Sequence, residues 1–197
     1  MFLLLKKREI DLTPLNKAIE EIKGVMGEQS LIIIKSTISP GVSERVSKDL
    51  NTKLIAYCPE RAIPGKTLEE MQFNDRVIGG ISEEAAEKAR EVYSFVKGKI
   101  LLTDSKTAEV VKLIENTYRD VNIALANELA KISMGIKINV WEAIKLANKH
   151  PRVNILNPGP GVGGHCIPID PYFLANSTDS SRIISLSREI NNSMPNM

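Results

Sequence analysis

Apolar residues follow two rhythms along this chain. Up to residue 102 they gather in short unbroken runs: Leu31-Ile32-Ile33-Ile34, Leu54-Ile55-Ala56-Tyr57-Cys58, Arg76-Val77-Ile78-Gly79-Gly80 and Lys99-Ile100-Leu101-Leu102. A continuous run, unlike an alternating one, predicts a strand covered on both faces. Helix signals lie between them. Thr13-Pro14 reads as an N-cap followed by a first-turn proline, and Leu15, Ala18, Ile19, Ile22 and Val25/Met26 recur at helical spacing up to Gly27. A short helix is expected from the Ser36–Gly41 break to about Leu50. Ser82 should cap another, with Glu83 and Glu84 in its first turn, where the helix dipole favours carboxylates. Strand-helix-strand alternation predicts a doubly wound α/β sheet.

From Ser105 the rhythm changes. Thr107 to about Met134 contains no proline or glycine, which predicts one long helix terminated by Gly135. Its apolar positions (Val110, Val111, Ile114, Tyr118, Val121, Ile123, Leu125, Leu129) nearly encircle it, so burial by more than one neighbour is expected. Asn139 with Glu142 starts a second helix that ends near Asn148, and Ser181 to about Asn192 suggests a third. The best domain boundary is near residue 104: 1–104 is part of a dinucleotide-binding type of sheet, and 105–197 is helical. A long helix of this kind is a candidate dimer core.

Composition narrows the classes. Of 197 residues, 43% are hydrophobic, enough for a real core, and a net charge of +2 with 5% aromatics gives no nucleic-acid footprint. The apolar start at Met1–Leu5 is too short for a secretory or membrane segment. Two cysteines, Cys58 and Cys166, make no disulfide framework, which points to a reducing cytoplasm. A sheet that binds a dinucleotide is expected to carry G-x-G-x-x-G after its first strand, and this chain has no such motif.

The candidate chemistry centres on Gly159-Pro160-Gly161-Val162-Gly163-Gly164-His165-Cys166-Ile167-Pro168-Ile169-Asp170. Glycines let a backbone approach a ligand and aim amides at an anion, so a thiol at the end of such a loop reads as a nucleophile beside oxyanion donors. The same residues also suit a tight turn with an inert cysteine, and both readings stay open at this point. Lys112 and Asn116 are an i, i+4 pair sharing a helix face. Ser36-Thr37 and Pro59-Glu60 fall at strand ends, where ligands of doubly wound sheets bind. Cys58 reads as strand packing. His165 beside Cys166 makes neither a dyad nor a zinc site, because adjacent side chains diverge and no second ligand spacing exists.

Five ordered motifs carry a resemblance: Ser36–Gly41, Cys58–Gly65, Asn74–Gly80, Ala108–Lys112 with Asn116, and the loop ending in Cys166. The chain resembles the UDP-glucose/GDP-mannose dehydrogenase family, and around Cys58 and His165 its UDP-N-acetyl-mannosamine (UDP-ManNAc) dehydrogenase branch. The resemblance implies an NAD-dependent enzyme that oxidises a sugar C6 alcohol to a carboxylate in two hydride transfers. Cys166 matches the thiol nucleophile, which forms a thiohemiacetal and then a thioester. Lys112 and Asn116 match oxyanion-stabilising groups, and Asp170 the carboxylate near that lysine. Glu60 matches the strand-end acid that handles substrate and water, Thr37 the hydroxyl holding that water, and Ser36 a neighbour of the nicotinamide. Arg61 and Gly163 match substrate-binding positions, and Arg152 an arginine reaching the partner's sugar across a dimer.

Two positions depart from the UDP-glucose enzymes. Pro64 stands where those have a second glutamate, and Ile169 where they have a lysine in Pro-Lys-Asp; both suit the N-acetylhexosamine branch. The resemblance further implies a fragment without the glycine-rich NAD-binding half and the UDP-binding domain, either a separate gene product or a frameshifted remnant, with a separate polypeptide as one source of the missing parts. The alternative is an inactive homodimeric module. A hydroxyacid or 6-phosphogluconate type of dehydrogenase shares the long helix but needs no thiol.

Overall fold

A computed structural model describes residues 11–62, 65–164 and 166–196. The chain divides into two compact units, one from Glu9 to Lys112 and one from Leu113 onward.

In the first unit the four apolar runs form β1 (Ile32–Ile34), β2 (Ile55–Tyr57), β3 (Arg76–Gly80) and β4 (Ile100–Asp104). They lie side by side in sequence order. Helices α1 (Thr13–Lys23), α2 (Val42–Asp49), α3 (Thr67–Phe73) and α4 (Glu83–Val92) alternate with them along the chain. Alternate residues of β2 enter different cores. Ile55 and Tyr57 pack with Ile19, Ile34, Ile38, Val42 and Val46, whereas Ala56 and Cys58 pack with Ile78, Ala89 and Tyr93. That is why the run is apolar at every position.

The sheet departs from the expected all-parallel pattern in one place. β1 with β2 and β3 with β4 are parallel, but β3 runs antiparallel to β2. A parallel return needs a crossover to the far end of the sheet. β3 instead starts beside the carboxyl end of β2, with Tyr57 opposite Gly79 and Ala56 opposite Gly80. Gly79 and Gly80 make the packing on this strand possible. A Cβ on Gly79 would lie 2.6 Å from the Ala108 Cβ, and one on Gly80 2.3 Å from the Ser82 carbonyl.

Caps explain most helix starts. Ser82 accepts a hydrogen bond from the Ala85 amide, as expected. Thr13 does not cap α1: it is the first helical residue, and its amide donates to the Asp11 carboxylate at 2.9 Å.

The long helix α5 spans Ser105–Ile136, 32 residues. Gly135 does not end it. Termination comes at Lys137, whose φ of 61° is left-handed, with the Ile138 amide bonded to the Ser133 carbonyl. The second unit comprises α5 from Leu113 on, α6 (Val140–Ala147), α7 (Asp170–Ala175) and α8 (Arg182–Ser193). Asn139 caps α6 through the Trp141 and Glu142 amides. The all-round burial expected of α5 is not seen within the chain. Leu113, Asn116, Asp120, Ala124 and Asn127 are buried, whereas Ile114, Tyr118, Leu125 and Ile132 are about half exposed.

Candidate functional site

In the first unit, the carboxyl end of β2 runs into Glu60, whose side chain folds back on its own turn. One carboxylate oxygen accepts the Arg61 and Ala62 amides at 2.9 and 3.0 Å. The other takes an ion pair from Lys35 at 3.0 Å and faces Arg76 at 3.8 Å. The Lys112 ammonium, from the first part of α5, donates to the Glu60 carbonyl at 3.0 Å. Arg61 donates to the Asp75 carbonyl. Burial raises the Glu60 carboxyl, but the Ala62 amide, the Lys35 ammonium, the Arg61 amide and the Arg76 charge outweigh it and hold it below its ordinary value. This end of the sheet therefore presents one carboxylate, ionised at neutral pH, among four cationic side chains.

Thr37 is half-buried and Ser36 exposed, on the segment leaving β1. Neither hydrogen-bonds to the Glu60 cluster among the described residues. Cys58 is fully buried beneath it, and burial pushes its thiol up against the opposing hydrogen bond to Tyr93 and the charge of Arg76. A thiol held protonated and away from solvent is not a nucleophile.

In the second unit the glycine loop delivers an exposed Cys166 to the start of α7. The Cys166 carbonyl accepts the Ile169 and Asp170 amides at 3.0 and 2.8 Å, which fixes the thiol-bearing residue one turn before Asp170. The Asp170 carboxylate is buried and accepts a hydrogen bond from the Asn116 side-chain amide. The oxygen of that amide accepts from Arg119. Gly163 and Gly164 are exposed, with open space where a Cβ would stand. Arg152 is exposed on the loop after α6, which Asn148 brackets through both the amide and the carbonyl of Ile155. His165 and Pro64 lie outside the described residues.

Six of the ten predicted residues thus fall into two groups. Glu60, Arg61 and Lys112 meet at the end of the sheet, and Asn116, Asp170 and Cys166 meet at the start of α7. Lys112 and Asn116 are one turn apart on α5. The sequence reading missed Lys35, Arg76 and Arg119. Lys35 directly follows the β1 apolar run, and Arg76 opens a strand as a buried cation, so position alone gave a signal for both. Arg119, three residues after Asn116, gave none beyond helical spacing. Among the described residues no cluster of His, Cys, Asp and Glu could hold a metal ion, and no helix is long and apolar enough to cross a membrane.

Comparison with known proteins places the chain among relatives. Residues 4–97 match the UDP-glucose/GDP-mannose dehydrogenase family, NAD binding domain, and residues 106–193 match the same family's central domain. The chain is 60% identical to the UDP-N-acetyl-D-mannosamine dehydrogenase of Methanocaldococcus jannaschii, over 96% of this chain and 45% of that protein. A solved UDP-D-ManNAc dehydrogenase from Pyrococcus horikoshii superposes with a TM-score of 0.89 at 49% identity, covering 94% of this chain and 47% of that one. The UDP-N-acetyl-mannosamine dehydrogenase from Staphylococcus aureus gives 0.84 at 46% identity, covering 96% and 47%. The chain spans about half the length of the relatives it matches. With both domain matches in order along one sequence, the chain belongs to the UDP-glucose/GDP-mannose dehydrogenase family.

Proposed function

We propose that this chain carries the cysteine-centred chemistry of a nucleotide-sugar 6-dehydrogenase acting on a UDP-N-acetylhexosamine, with UDP-ManNAc as substrate. The observation supporting it most is the Cys166–Asp170–Asn116 arrangement: an exposed thiol, tied through its own carbonyl to the residue whose carboxylate Asn116 holds.

The Cys166 thiolate adds to the C6 aldehyde, forming a C–S bond and a hemithioacetal oxyanion. Lys112 and Asn116 donate to that developing charge, which is where preorganised donors count most. After loss of a hydride from C6 the group on Cys166 is a thioester. Water adds to it, the C–S bond breaks, and the uronate leaves as the thiolate is restored. Asp170 and Glu60 hold and move the protons of that water. Thr37 positions the water, and Arg61, Arg152 and Gly163 contact the substrate, with Arg152 serving a partner protomer.

NAD would accept the hydride in each oxidation. The residues present suit its nicotinamide–ribose half, through the exposed Ser36 hydroxyl and Thr37 beside it. They do not offer a pyrophosphate site at α2. The first amides there are already used: Gly41 and Ser43 donate to the Glu109 carboxylate and Val42 to the Ser39 carbonyl.

A homodimer through α5 belongs to the same reading. Ile114, Tyr118, Leu125 and Ile132 are about half exposed and fall within a narrow arc of the helix, a stripe suited to a second copy. We further place the functional division at residue 104, with 1–104 serving the cofactor and 105–197 carrying the thiol and the dimer contact.

The test is NADH formation by the purified chain given NAD and UDP-ManNAc, alone and with the remaining halves of the M. jannaschii relative added as separate polypeptides. Turnover lost in Cys166→Ala supports the reading; turnover that survives Cys166→Ala overturns it. A dimer with no turnover in either format favours a non-catalytic dimerisation module.

A further inference from the structure

The buried side of α5 in the second unit is polar where a core helix is normally apolar. Asn116, Asp120 and Asn127 are each at most 1% exposed. Spacings of four and seven residues keep all three on one helix face, and Asn116 to Asn127 spans three turns, about 16 Å. Burying three polar side chains is costly unless each is satisfied, so their partners show what the stripe holds.

Asn127 accepts the Gly159 amide at 2.8 Å and donates to the Asn191 side chain at 2.9 Å. Asn191 donates in turn to the carbonyl and the carboxylate of Asp120. Arg188, one turn earlier on α8, makes a buried ion pair with that carboxylate at 2.5 Å. Two loop positions thus rest on this array. Gly159 is bonded to Asn127, and Gly161, at φ 102°, lies so close that a Cβ would stand 2.5 Å from the Asn191 carbonyl. At the far end of the stripe, Asn116 holds Asp170, whose amide caps Cys166. The segment from 159 to 170 is therefore fastened at both ends to one face of α5, and its exposed middle contains Gly163, Gly164 and Cys166.

We propose that Asn127 and Asn191, held by Asp120 and Arg188, are positioning residues for Cys166: they fix the start of the glycine loop so that the thiol keeps one orientation relative to Asp170. This rests on the reading of Cys166 as nucleophile, but its test does not need turnover.

Two readouts are taken on the whole chain carrying Asn127→Ala. One is amide hydrogen exchange across 157–164. The other is the pH profile of Cys166 alkylation by iodoacetamide, resolved by peptide mass. Loss of the Asn127 contact should speed exchange at Gly159 roughly three- to tenfold. It should also shift the midpoint or the plateau rate of the alkylation profile. Gly161→Ala, on the loop where it rests against the Asn191 carbonyl, should produce the same thiol change by pushing off Asn191, and serves if Asn127→Ala does not fold. Unchanged exchange at Gly159 overturns the clamp. Faster exchange with an unaltered Cys166 profile overturns the positioning of the thiol. If Asn127→Ala gives both expected shifts yet Cys166 is dispensable for turnover, the nucleophile reading fails and the clamp stands.

Discussion

The Lys112 ammonium donates to the Glu60 backbone carbonyl across 3.0 Å and, among the described residues, to no carboxylate. That contact joins a cationic side chain to a neutral acceptor and holds its long stem in one place. That combination suits a group meant to meet a developing oxyanion.

Replacing Lys112 by Met should therefore separate catalysis from stability. One hydrogen bond of this type contributes about 1 kcal/mol to folding. One donor to a transition-state oxyanion is worth about 100- to 1,000-fold in kcat. Urea denaturation and the NADH assay on the same variant give the two numbers, and unchanged turnover would remove Lys112 from the mechanism.

Glu60 gives a pH prediction whose sign is fixed. Its carboxyl lies below the ordinary 4.5, so between the folded and unfolded values the unfolded chain binds more protons. The stabilisation is complete above 4.5 and is lost as pH falls through the lower, folded value. The wild-type melting temperature should decline in that acid window more steeply than that of Glu60→Gln. Parallel acid limbs for the two proteins would show that the Lys35 and Arg76 contacts contribute nothing measurable.

The four strands were legible because each is an unbroken apolar run, and the long helix because it lacks breakers. The reversal of β3 was not, since antiparallel and parallel central strands share the same composition when both faces are covered. The end of α5 was misplaced because glycine is the usual left-handed residue, while Lys137 takes that conformation here. The glycine loop and the Lys112/Asn116 spacing were visible in sequence. The gathering of Lys35, Arg76 and Lys112 around Glu60 was not, because these four residues come from separate segments that only the fold joins.

Glu109 was visible only as a neighbour of Lys112, yet it is fully buried and accepts the Gly41 and Ser43 amides at 2.5 and 2.8 Å. It caps α2 from another helix, in the role a local Ser or Asp usually fills. Glu109→Ala should cost about 3 kcal/mol, because a buried and a half-buried amide lose a charged acceptor at once. Glu109→Gln, which keeps one acceptor oxygen, should cost distinctly less. Equal urea midpoints for the two variants would show that the cap's charge and geometry do not matter.

The two thiols should behave as opposites. Cys58 is fully buried, and burial raises its pKa, so both access and thiolate fraction are low. Cys166 is exposed on its loop. At pH 8, iodoacetamide should label Cys166 at least about tenfold faster than Cys58, whose rate should follow local or global opening of the sheet unit. Adding urea below the unfolding midpoint should speed Cys58 labelling and leave Cys166 nearly unchanged. Time-resolved peptide mass mapping reads both residues in one sample. If Cys58 labelled as fast as Cys166 in native buffer, the end of β2 would be open to solvent, and the packing of Cys58 beneath the Glu60 cluster would be wrong.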